Sequence, residues 1–173
     1  MTYVTRTAQF NHQQALARTY VPEPAHEDAE HIRDRVIAEL RALGMRPWGL
    51  WRFDVRYLPN IIHEQEHIKA VSYGTNSGGS GMLVATDRRV IYLSKKPMFI
   101  KADELTYDII GGITYGDVGV QATIILHSRI GDFKLTTFNL RLAQGFRDYI
   151  EERCLENLHN GAASGINHYD DYF

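Results

Sequence analysis

Short segments rich in apolar and β-branched residues follow one another from residue 67 to residue 138, and residues that favour turns separate them. The segments include "HIKAVSY", "MLVAT", "VIYLS", "MFIKA", "ATIILHS" and "FKLTTF", and the breaks include "GTNSGGSG", "TDRR", "KKP" and "RIGD". In "FKLTTF" apolar and polar side chains alternate, as they do in a strand with one buried face. Strands joined by such short turns pair antiparallel, and their spacing is typical of a β-sandwich or β-barrel. The pattern predicts about seven antiparallel strands.

Helical spacing flanks this region on both sides. From Glu27 to Leu43 apolar residues fall three and four positions apart, and Gly44 follows as a candidate C-cap. After the last strand, apolar residues recur every four positions: Leu142, Phe146, Ile150 and Cys154. A helix placed there can cover the open corner of a strongly bent sheet. The predicted fold class is α+β, mainly β: a strongly bent antiparallel sheet whose open corner a C-terminal helix covers, with an N-terminal helical extension.

Composition divides the chain into three parts. Residues 1–56 contain a polar arm and the first helix, and residues 57–158 contain the strands and the last helix. Residues 159–173 begin with a Gly-, Ala- and Ser-rich linker and end in an aromatic, acidic tip. Trp48 and Trp51 follow the first helix in a segment with Gly and Pro, where we expect them to bury that helix against the main domain.

Charge and cysteine content exclude several kinds of partner and site. The chain has 19 Lys and Arg against 21 Asp and Glu, without long blocks of one sign, so no nucleic-acid partner is expected. The single cysteine, Cys154, excludes an internal disulfide and a cysteine-rich zinc site. The first residues lack the apolar region of a signal peptide, and no stretch reaches the length of a membrane span. We expect a cytoplasmic protein without a cofactor.

Three motifs occur in the order that is found in a known family. "LPNIIHEQEHI" is typical of a short helical turn that ends in an acidic residue, Gly81 to Arg89 fit a "G-hydrophobic-hydrophobic-x-T-x-x-R" hairpin, and "YDII" at residues 107–110 fits a "Y-D-x-I" strand entry. Over residues 57–156 the chain resembles the bacterial pleckstrin-homology-like (PH-like) domains of the YokE-like type. The resemblance implies a half-open barrel capped by a helix, without catalytic residues. It also implies an adaptor for proteins, membranes or self-assembly.

Residues 63–67 match the zinc-peptidase motif H-E-x-x-H. On a helix the two histidines would share one face and hold a metal ion, while Glu64 would act as general base. His67, however, begins the first strand, so we expect the motif to cross a helix-to-strand junction and its histidines to point apart. Tyr73 stands where a longer zinc-peptidase motif has its third histidine. We therefore predict no metal site here.

Two groups of residues are candidates for binding. Basic residues at the predicted hairpin turns could gather on one rim of an open barrel: Arg88, Arg89, Lys95 and Lys96. Aromatic residues surround two aspartates after the linker: Tyr169, Tyr172 and Phe173. Aromatic side chains on a tether can enter a partner's pocket at little cost to the fold. The N-terminal arm offers the same kind of contact through Tyr3, Phe10 and Tyr20.

Three functions are compatible with these features. The favoured hypothesis is a non-enzymatic interaction or scaffold module that binds a protein partner or associates with another copy. The alternative is a peripheral membrane adaptor that binds acidic headgroups through the basic turns. The third hypothesis is a zinc metallopeptidase built on the H-E-x-x-H sequence, which the expected helix-to-strand junction disfavours.

Overall fold

The computed structural model describes residues 26–96 and 99–165. An N-terminal extension contains helix α1 (His26–Ala42), two short helices, α2 (Pro47–Leu50) and α3 (Phe53–Tyr57), and a 3₁₀ turn (Leu58–Asn60). Gly44 ends α1 in a left-handed conformation with φ 94°, and Met45 N–H donates to the Leu40 carbonyl at 3.0 Å. The sequence-based C-cap is therefore confirmed.

Seven strands follow: β1 (Ile68–Asn76), β2 (Gly79–Thr86), β3 (Arg89–Lys95), β4 (Ile100–Thr106), β5 (Ile110–Val118), β6 (Gln121–Ser128) and β7 (Gly131–Thr137). A 3₁₀ turn (Tyr107–Ile109) joins β4 to β5, and helix α4 (Leu140–Gly165) ends the described chain. The strands form one antiparallel sheet in the order β4-β3-β2-β1-β7-β6-β5. Because β4 and β5 are the two edges, the sheet is not closed into a barrel. The predicted fold class is confirmed.

The two halves of the sheet meet at a narrow junction between β1 and β7. Thr75 and Thr136 are the only residue pair in the β1–β7 register, whereas β1 pairs with β2 through eight residues. Gly74 lies against β7 so closely that a Cβ atom would stand 1.9 Å from the Thr136 carbonyl oxygen. A glycine is therefore required where the strands cross.

Both faces of strands β1 to β3 are covered. One face packs against α4, from which Phe146 and Ile150 are fully buried, and the other packs against α1, from which Val36 and Leu40 are fully buried. The six residues from Gly81 to Thr86 in β2 are all buried, which explains why "MLVAT" shows no alternation. The N-terminal extension is therefore part of the packing of this sheet.

Two expectations about the flanking segments are wrong. Trp48 and Trp51 do not bury α1, since 60% and 82% of their surfaces are exposed; Val55 and Leu58 are buried in that part of the core instead. The predicted linker after residue 158 is helical to Gly165, because alanines favour the helix that α4 has already nucleated. Asn139 caps α4, accepting from Leu142 N–H at 3.2 Å. None of the described helices is long and apolar enough to cross a membrane.

Candidate functional site

The H-E-x-x-H residues do not form a helix. They lie in a turn between the 3₁₀ turn at Leu58–Asn60 and β1, with His63, Glu64 and His67 exposed. The shared helical face that a zinc peptidase needs is therefore not formed, as the alternation after His67 predicted. Within residues 26–96 and 99–165, no group of three or more histidine, cysteine or acidic side chains is arranged to hold a metal ion.

The second glutamate of the motif, Glu66, is fully buried and anchors Arg89. The Arg89 guanidinium donates from Nε to Glu66 Oε1 and from Nη2 to Glu66 Oε2, both at 2.9 Å. Thr86 Oγ1 donates to Glu66 Oε1 at 2.8 Å, and His63 N–H donates to Oε2 at 3.1 Å. Arg89 also reaches Glu104 and the Ile61 carbonyl. These contacts join the segment before β1 to the β2–β3 turn.

Burial alone would raise the pKa of Glu66, but the hydrogen bonds from Arg89, His63 N–H and Thr86 outweigh it and hold the pKa below its ordinary value. The side-chain hydrogen bonds to Glu66 raise the pKa of Arg89. Thr86 Oγ1 also accepts from the N–H groups of Arg88 and Arg89 and so shapes the β2–β3 turn. The carboxylate and the guanidinium are thus held as an ion pair.

The structure does not bring the four predicted basic residues together. Arg88 is exposed beside one end of β3, while Lys95 and Lys96 lie at the other end, about 20 Å away along a seven-residue strand. Arg89, expected at a binding rim, forms an ion pair with Glu66 instead. The Lys95 ammonium lies 4.3 Å from the Phe53 ring centroid, and the Lys96 ammonium lies 5.6 Å from that of Phe99.

The aromatic candidates lie outside the described residues: Tyr169, Tyr172 and Phe173, and the arm residues Tyr3, Phe10 and Tyr20.

A cleft of about 670 Å³ opens where β1 separates from β7, and we call it the corner cleft. Its walls come from α2 and the residues beside it, from β1, from the β5–β6 turn and from the connection between β7 and α4. The residues that give it its chemical character are Arg46, Trp48, Arg52, Tyr73, Val120 and Phe138. The narrow β1–β7 junction at Gly74 lies in its floor.

The rim of the corner cleft is apolar and exposed. Trp48, Val120 and Phe138 expose 60%, 73% and 74% of their surfaces and come from three separate parts of the chain. Trp48 packs edge-on against Tyr73, with ring centroids 6.1 Å apart. Such a cluster of large apolar side chains around a concave surface is typical of an interaction site.

The polar groups of the corner cleft are incompletely used within the chain. Arg46 is exposed and makes no ion pair with a carboxylate in the described part of the chain. Arg52 pairs with Asp54 at 2.7 Å and lies 5.0 Å from the Tyr73 ring centroid. The Tyr73 hydroxyl is buried and finds no hydrogen-bond partner among the described residues. That hydroxyl lies beside Gly49 and not at the cleft surface, so the cleft offers the cation of Arg46 to an incoming group.

An open, seven-stranded antiparallel sheet with one corner capped by a C-terminal helix defines a PH-like domain. Residues 62–152 match the family described as Bacterial PH domain, and the chain belongs to that family. The chain is also similar to a crystal structure of a DUF1696 family protein with a pleckstrin-homology domain from Shewanella loihica PV-4. The identity is 16% and the TM-score 0.40, over 57% of this chain and 91% of that chain. No curated protein matches the chain.

Proposed function

We propose that this chain is a non-enzymatic interaction module that binds a protein partner or a second copy of itself through the corner cleft. The observation that carries the proposal is the combination of exposed Trp48 and Phe138 with the cation of Arg46, which has no carboxylate partner within residues 26–96 and 99–165, around one concave surface. Tryptophan, tyrosine and arginine dominate the binding energy of protein interfaces because they combine large apolar area with directed hydrogen bonds. A PH-like fold can support many functions, so the site and not the fold supports this one.

Photo-crosslinking from the cleft tests this proposal. A photoreactive amino acid at position 120, on the cleft rim, is compared in the native host with the same amino acid at position 118, which is exposed but does not line the cleft. We expect position 120 to give a discrete protein adduct that position 118 does not give. Trp48→Ser should remove the adduct, whereas Trp51→Ser, three residues away and outside the cleft, should not. Equal adducts from both positions would contradict the proposal.

A peripheral membrane adaptor is the second candidate, and one observation favours it. Lys95 and Lys96 lie beside the exposed rings of Phe53 and Phe99, and basic side chains next to exposed aromatic rings are typical of surfaces that enter the headgroup region. Sedimentation with anionic vesicles tests it. Lys95→Glu with Lys96→Glu should abolish binding, while Arg88→Glu at the opposite end of β3 should preserve it.

A further inference from the structure

We propose that residues 166–173 of one copy bind in the corner cleft of a second copy, so that the chain associates head to tail. This inference rests on the proposed function, because it names the occupant of the same cleft. Three observations support it: the chemistry of the segment, the exposed Arg46 that has no carboxylate partner among the described residues, and the distance between the cleft and the end of α4.

The segment and the cleft are complementary in charge and in apolar character. Residues 166–173 read "INHYDDYF", in which two adjacent aspartates are flanked by Tyr169 and Tyr172 and followed by Phe173. The cleft is lined by exposed Arg46 and by the exposed apolar side chains of Trp48 and Phe138. Guanidinium groups bind carboxylates through paired hydrogen bonds, and aromatic rings pack on apolar rims. The basic arm residues Arg6 and Arg18 make residues 1–25 a poorer match for Arg46.

The distance from the corner cleft to the end of α4 indicates whether the segment can bind the cleft of its own chain. Leu140, at the start of α4, lines the cleft, and α4 then runs for 26 residues to Gly165. The helix therefore carries its end about 38 Å from the cleft. Eight further residues reach at most about 29 Å when fully extended. The whole segment cannot lie in its own cleft, so its binding partner is the cleft of a second copy.

Sedimentation velocity of the full chain over a range of concentrations tests the inference. We expect association that increases with concentration and that Arg46→Glu in the cleft, or Asp170→Lys with Asp171→Lys in the segment, weakens at least about tenfold. Arg41→Glu is the matched control, because Arg41 lies in a separate, smaller cavity of about 320 Å³ with Arg33 and Arg56 and should leave association unchanged. Loss of association in Arg41→Glu but not in Arg46→Glu would overturn the assignment of the cleft.

A mixture of two variants, one altered in the cleft and one altered in the segment, tests whether the binding is head to tail. A chain with Arg46→Glu keeps an intact segment, and a chain with Asp170→Lys and Asp171→Lys keeps an intact cleft. Each alone should associate at least about tenfold more weakly than wild type, while their mixture should associate, because an unaltered segment meets an unaltered cleft and the two charge reversals complement each other. A mixture that stays monomeric would overturn head-to-tail binding. If the wild type is monomeric throughout while position 120 still crosslinks a different protein, this inference fails and the proposed function stands.

Discussion

Glu66 is the residue on which the connection between β1 and the β2–β3 turn depends. Replacing it with alanine would leave the guanidinium of Arg89 partly buried with only Glu104 as a carboxylate partner. We expect Glu66→Ala to lower the free energy of unfolding by about 3 kcal/mol or more. Glu64→Ala, in the same five-residue motif but exposed, should change it by less than about 0.5 kcal/mol. Urea denaturation of both variants measures the difference, and equal losses would mean that the buried pair does not contribute.

The same carboxylate predicts a dependence of stability on pH. The pKa of Glu66 lies lower in the folded chain than in the unfolded chain, where it is about 4.3. Its contribution to stability is therefore complete above the unfolded pKa and is lost as the pH falls through the folded pKa. We expect wild type to lose its advantage over Glu66→Gln as the pH falls below about 4.3 and through the lower pKa of the folded chain, measured as urea midpoints. An advantage that grows as the pH falls would contradict the ion pair.

At the level of elements, α4 is held to the sheet by a short apolar stripe. Phe146 is fully buried in the core between α4 and the sheet. We expect Phe146→Ala to lower the free energy of unfolding by about 3 to 5 kcal/mol, because it leaves a large cavity. Leu155→Ala, on an exposed part of the same helix, should cost less than about 1 kcal/mol. Thermal unfolding measures both, and a small loss for Phe146→Ala would mean that α4 is not docked as described.

Elements that repeat a simple period were predictable from sequence. The seven strands and the helices α1 and α4 lie close to their predicted positions, because periods of two and of 3.6 residues are local properties of the chain. The pairing of Glu66 with Arg89 was missed although both residues belong to the family-like motifs, since 23 positions separate them. The spacing of residues within a motif does not indicate which side chains meet across a fold.

The candidate site was less predictable than the fold. The corner cleft combines Trp48, Tyr73 and Phe138 from segments that are distant in sequence, so no local sequence pattern predicts it. Trp48 was expected to be buried because aromatic residues usually are, but the buried volume beside α1 is filled by Val55 and Leu58 instead. The basic turns and the strand between them were visible in the sequence, but the pairing of Arg89 with Glu66 became visible only in the structure.

At the level of the whole molecule, two half-sheets depend on one crossing point. At Gly74 a Cβ atom would clash with the Thr136 carbonyl oxygen, so we expect Gly74→Ala to force β1 and β7 apart and to destabilise the chain by about 1 to 3 kcal/mol. Gly116→Ala in β5 is the control, since a Cβ atom there meets nothing within 4 Å. Chemical denaturation compares the two. A neutral Gly74→Ala would mean that the junction adapts without cost.

The length of α4 has a consequence for engineering. Exposed residues such as Glu156, Asn157 and His159 follow Arg153, which donates a hydrogen bond to the Asp87 carbonyl at 3.2 Å. The last turns of the helix therefore act as a spacer whose length does not depend on the packing of the sheet. Inserting seven residues there would move the following segment outward by about 10 Å and keep its direction of departure nearly constant. The distance between the sheet and the segment that follows α4 can thus be increased in steps of two helical turns.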